Sequence, residues 1–132
     1  GEVRVVSCGD DGTVRVWAIE GGEALQVLRG HASWVVGVAT FVAHDDPRVV
    51  SCGDDRTICN WDSRAGGDAL VVPKGHLGAV YGVATVVANE DTRAVSCGHD
   101  GTVRVWDAVE GGDARVVLHG HSGAVYGVTT FV

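Results

Sequence analysis

The stretch Ser51 to Asp62, SCGDDRTICNWD, decides the fold. It reads as the end of one strand, a tight Gly53-Asp54-Asp55-Arg56 turn and a further strand, Thr57 to Trp61. Its opening string returns as Ser7-Cys8-Gly9 and Ser96-Cys97-Gly98, at spacings of 44 and 45 residues. A Trp follows each Ser by ten positions, at Trp17, Trp61 and Trp106. The dipeptide Gly-His recurs at Gly30-His31, Gly75-His76 and Gly120-His121, spaced 45 and 45. Three independent markers keep one period, which lies in the range expected of four-stranded propeller blades.

Working outward from the quoted stretch, the middle copy divides into four short strand signals bounded by turn residues. Trp34 to Thr40 (WVVGVAT) is the first, and Phe41 to Pro47 ends in a loop. Arg48 to Cys52 is the second, and Thr57 to Trp61 the third. Arg64-Ala65-Gly66-Gly67-Asp68 is a loop, and Ala69 to Val72 the fourth. Val and Thr dominate these runs and suit a pleated, half-buried surface. No segment carries a helical period.

Composition narrows the functional classes. The apolar fraction of 45% among 132 residues supports a packed core and argues against disorder. A net charge of −7 argues against a nucleic-acid surface, which needs a local excess of Lys and Arg. No apolar run is long enough to cross a bilayer as a helix, and no signal-peptide pattern is visible. Four cysteines occur without a C-x-x-C pair, and Cys8, Cys52 and Cys97 occupy one place in three copies. They read as small buried thiols in a reducing, cytoplasmic compartment rather than as disulfides or metal ligands. The absence of Met leaves a processed, excised or engineered origin open.

The combination Gly-His, Ser-x-x-x-Asp, Thr and Trp-Asp resembles the WD-repeat family. It covers nearly the whole chain, as a single array over residues 1–132. In three copies these motifs are highly specific. The resemblance implies an all-β fold, a β-propeller with blades of four antiparallel strands, three blades per chain. There are departures: Trp17-Ala18 replaces the Trp-Asp of Trp61-Asp62 and Trp106-Asp107. The family's usual aromatic residue, nine positions after the histidine, is here Thr40, Thr85 or Thr130.

Each copy holds Ser, His and Asp, which invites a hydrolase reading. A nucleophilic Ser must be exposed and activated beside a cleft. Ser51 instead lies within an apolar strand, and the set recurs in every copy, whereas an enzyme needs one such site. The resemblance implies a structural brace, in which Asp accepts from His, His meets Ser, and Ser meets the indole N–H. The sets are His31, Ser51, Asp55 and Trp61; His76, Ser96, Asp100 and Trp106; and a split one, His121 with Ser7, Asp11 and Trp17. No catalytic residue, cofactor or metal site is expected; His99, His119 and His121 have no fixed ligand spacing.

The split set places a cut inside a blade. Ala124 to Thr130 is a first strand without followers, and Val3 to Cys8 a second strand without a predecessor. Exposed strand edges are liabilities. Closure of one chain on itself would need three blades, below the usual four to eight. The expectation is head-to-tail pairing, in which 124–132 of one chain completes the blade begun by 1–28 of another. Nine blades turn about 40° each and six about 60°, against about 45° and 51° for the common eight and seven. A homotrimer is preferred, with a homodimer as runner-up.

The functional expectation is therefore a non-enzymatic, self-assembling scaffold offering protein-interaction surfaces. Trp34, Arg56, Tyr81 and Tyr126 are the candidates for partner contact, because exposed aromatics and Arg anchor interfaces. The alternatives are a fragment or designed repeat without a cellular role, and a propeller binding a small ligand or metal at its channel.

Overall fold

The computed structural model describes residues 2–64, 67–70 and 76–132. Ala65, Gly66, Val71, Val72 and Gly75, which figure in the sequence reading, lie outside them. All regular structure among the described residues is antiparallel β. The first sheet holds β1 (Arg4–Cys8), β2 (Thr13–Ala18) and β3 (Ala24–Arg29). The second holds β4 (Val35–Ala43), β5 (Asp46–Gly53) and β6 (Ile58–Asp62). The third holds β7 (Val80–Ala88), β8 (Asp91–Gly98), β9 (Val103–Asp107) and β10 (Gly111–Leu118). Each sheet is one up-and-down blade, and the three follow the three sequence copies.

Two boundaries differ from expectation. The first strand of the middle copy runs on to Ala43, and the second begins at Asp46, so Phe41 to Pro47 is mostly strand. His44 and Asp45, at φ of 53° and 65°, make a two-residue turn, as Asn89 and Glu90 do in the next blade. Both central residues are left-handed, the geometry that matches strand twist in a tight hairpin. Pro47 reads as a strand breaker but sits opposite Val42 near the start of β5, where a missing N–H is tolerated.

Two cores lie between the blades. Val14, Val16 and Leu28 of the first blade cluster with Val35, Val49, Cys59 and Trp61 of the second. Phe41, Val50, Cys52 and Ile58 of the second cluster with Val80, Val83, Ala94 and Trp106 of the third. Full burial of each such side chain stabilises by roughly 1.5–3 kcal/mol. Trp61 and Trp106 thus face the blade before their own. Within a blade, the glycine of the Ser-Cys-Gly string lets the second strand pass close to the start of the first. A Cβ on Gly53 would lie 2.5 Å from the Trp34 carbonyl oxygen, and one on Gly98 would lie 2.5 Å from that of Ala79.

Threonines tie the first strands of successive blades together. Thr85 Oγ1 donates to the Thr40 carbonyl oxygen at 2.7 Å, and Thr130 Oγ1 to that of Thr85 at 2.8 Å. The segment 124–130 joins no strand ladder and runs beside β7 instead. There the Val125 amide donates to the Gly98 carbonyl at 2.9 Å, as the Val35 amide does to Gly9 at 3.1 Å.

Candidate functional site

The repeated polar set is built by three local features. The Gly-His histidine stands just before the first strand, the Ser on the second, and the Asp in the turn that leads to the third. In that turn Gly12, Arg56 and Gly101 take φ of 79°, 72° and 80°. The left-handed residue reverses the chain and aims the preceding Asp back at the histidine. Glycine does this without strain, and Arg56 does it at a cost.

Two sets are complete within the chain. In the third blade Trp106 Nε1 donates to Ser96 Oγ at 2.7 Å, and Ser96 Oγ lies 2.7 Å from His76 Nε2. His76 Nδ1 is 2.9 Å from Asp100 Oδ1. The Asp100 carboxylate also accepts from the Thr102 hydroxyl at 2.7 Å and from the amides of Leu77 and Thr102 at 3.1 Å. The second blade repeats this with Trp61–Ser51 at 2.8 Å, Ser51–His31 at 2.7 Å and His31–Asp55 at 3.0 Å. One proton arrangement satisfies every member: indole to Ser, Ser hydroxyl to Nε2, and Nδ1–H to the carboxylate.

The electrostatics favour that arrangement. Burial lowers the His76 pKa and outweighs the pull of Asp100, so the imidazole is held neutral. For Asp100, burial pushes the pKa up, but the bonds from His76, Thr102 and Leu77 overcome it and hold the carboxyl well below its usual range. Asp55 is lowered in the same way, against its own burial, by Thr57, Ala32 and His31.

The distances match those of a hydrolytic triad, yet the chemistry does not follow. Ser51 and Ser96 are fully buried, and each hydroxyl already accepts an indole N–H. Neither serine can meet a substrate in this geometry. Four thiols are free: Cys52, Cys59 and Cys97 are buried and Cys8 half-buried. Burial pushes Cys52 up to about 12 and Cys59 up to about 11, far from a reactive thiolate. Among the described residues no three His, Cys, Asp or Glu gather as metal ligands.

The first blade holds a partial set. Trp17 Nε1 donates to Ser7 Oγ at 2.8 Å, and Asp11 accepts from the Thr13 amide and hydroxyl. His121 is exposed and bonds none of them. A cavity of about 320 Å³ lined by Ser7, Asp11 and Thr13 opens where the other two sets hold their histidine.

Of the four contact candidates, Trp34, Arg56 and Tyr126 are exposed. Tyr81 and Tyr126 stack at 5.1 Å, and His99 meets the edge of Tyr81 at 6.3 Å. Among the described residues no ring contact joins Trp34 to that stack. Asn60 escaped the sequence reading. Buried in β6, it donates Nδ2 to the Ala108 carbonyl of the next blade at 2.6 Å. Its one signal was a polar residue where the other copies have Val16 and Val105.

Three antiparallel blades with a histidine–serine–aspartate–tryptophan brace define a β-propeller repeat protein. The family model for the WD40 repeat (WD domain, G-beta repeat) matches residues 2–18, 22–62 and 67–107, and the chain belongs to that family. Its repeats are of the protein-interaction scaffold type. Comparison with curated proteins gave no match.

Proposed function

We propose that the chain is a non-enzymatic interaction scaffold that completes its divided blade head-to-tail with a second copy. One observation carries the reading: residues at the two open seams are bare while their counterparts at the closed seams are buried. Leu28 is 0% exposed and its counterpart Leu118 is 50%. Val49 is 0% exposed and its counterpart Val5 is 46%. The repeated glycines agree. A Cβ on Gly30 would strike Trp61 at 2.7 Å, and one on Gly37 would strike the Cys52 thiol at 2.9 Å. Their counterparts Gly120 and Gly127 meet nothing within 4 Å. These positions suit neighbours that a second copy brings.

His121 then enters the Ser7, Asp11 and Trp17 set of the next molecule, and the four free thiols suit a reducing compartment. A homotrimer of nine blades is the preferred ring and a homodimer of six the runner-up. The face carrying Trp34, Arg56 and the Tyr81–Tyr126 stack is the surface offered to other proteins. Light scattering tests the assembly. A mass of three times, or failing that two times, the 13.7 kDa chain is expected, and a stable single chain at micromolar concentration overturns the proposal.

A further inference from the structure

We infer that the cavity between the first two blades is the seat of Phe131 from the second copy, so that one ring anchors the head-to-tail joint. The inference rests on the assembly reading and adds to it a residue, a receptor and a strand register.

The chain has two phenylalanines, and both stand ten residues after a Gly-His histidine: Phe41 after His31 and Phe131 after His121. Phe41 is 8% exposed, within the cluster that holds Val50 and Ala94 between the second and third blades. Phe131 is 93% exposed. One seam earlier, between the first and second blades, lies a cavity of about 650 Å³ lined by Val6, Val16, Leu25, Thr40, Pro47 and Val49 and, over the other half of its lining, by polar and charged residues that include Arg4 and Arg48. Val6 and Val49 are the counterparts of Val50 and Ala94 in the repeat. The space that a phenylalanine fills at one seam is therefore open at the next, and the matching phenylalanine is bare.

The register follows from β4 and β5, where Thr40 pairs with Val49, Phe41 with Arg48 and Gly37 with Cys52. Carried to the joint, Thr130 pairs with Val5, Phe131 with Arg4, and Gly127 with Cys8 of the second copy. The threonine ladder continues as well. The Thr40 hydroxyl of the receiving chain donates to the Thr130 carbonyl of the donor, as Thr85 does to Thr40. A small apolar ligand is the other occupant for a cavity of this size. The bare counterpart ring favours the second copy.

Three proteins test the inference: the 132-residue chain, Phe131→Ala, and a Val5→Cys/Thr130→Cys double variant. Sedimentation should show Phe131→Ala associating on the order of a hundredfold more weakly. Below the association range its circular dichroism should match that of the unmutated chain, since the ring is exposed in the single chain. The double variant should form intermolecular disulfides under mild oxidation, at the pairing given above. A chain that sediments alone sinks the assembly reading itself. Association that persists undiminished in Phe131→Ala, or a cysteine pair that never cross-links an assembled protein, overturns the phenylalanine seat and leaves the assembly standing. Binding of an apolar dye to the assembled wild type, competing with nothing and unaffected by Phe131→Ala, assigns the cavity to a small molecule instead.

Discussion

The Thr85 hydroxyl donates to the backbone oxygen of Thr40 at 2.7 Å, joining the first strands of two blades at the position where the family usually places an aromatic ring. With Thr130 on Thr85, it makes a ladder whose period is the repeat itself, 45 residues. The neighbouring first strands run close together: a Cβ on Gly37 would lie 3.6 Å from the Gly82 Cα. Thr85→Val keeps the shape and removes the donor. A loss of about 0.5–1 kcal/mol is expected from urea unfolding, at the low end for a hydrogen bond because the site is exposed to water. No change would mean that packing alone sets the strand spacing.

His76→Ala should cost about 1–3 kcal/mol, since it strands Ser96 and Asp100 in a buried site. His121→Ala should leave the folding of the single chain nearly untouched, because that histidine is exposed and unbonded within it. Chemical denaturation of both variants below the association range separates the two. Equal losses would show that the histidines act through something other than the brace.

Stability should fall in two stages as pH drops. His76 is held neutral in the fold, so below about 6.5 the unfolded chain takes up the proton first and the folded state loses ground. Asp55 and Asp100 are held ionised in the fold. Their stabilisation is complete above the ordinary carboxylate value of 3.8 and is lost as pH falls below it towards the depressed folded values. The urea midpoint measured from pH 8 to pH 3 should be flat above 7, then decline, then decline again below about 4. His76→Ala should erase the first stage; its survival would assign that stage to another group.

Arg56 holds a left-handed φ of 72° where the other two copies have Gly12 and Gly101. Arg56→Gly should raise stability by about 0.5–1 kcal/mol, as relief of the strained backbone exceeds glycine's extra entropy when unfolded. A fall would show that the Arg56 side chain contributes contacts of its own.

The repeat was legible in the sequence because its markers recur at one spacing, and the brace was legible through the likeness to the WD-repeat family. A turn needs Gly53 or Gly98 to pass under a carbonyl. A buried chain of hydrogen bonds needs a ring with one donor and one acceptor between Ser and Asp. These requirements recur with each blade, so three copies print them three times. What repeats less was harder to read. Pro47 looked like a boundary, but its place near the start of β5 forgives the missing amide. Asn60 looked like an ordinary strand residue, and only the neighbouring blade supplies the Ala108 carbonyl that it bonds.

By itself, the order of residues determined the blade and its period, because both are set by local spacing and by which side chains tolerate burial. The tertiary structure alone decided which seam each Phe or Leu meets. Phe41 and Phe131 hold the same position in their repeats, but Phe41 is buried within a paired blade that another blade packs against, and Phe131 is exposed on a segment that joins no sheet. Apolar packing acts through proximity in space, and a residue's place in its own repeat does not say what stands on the far side.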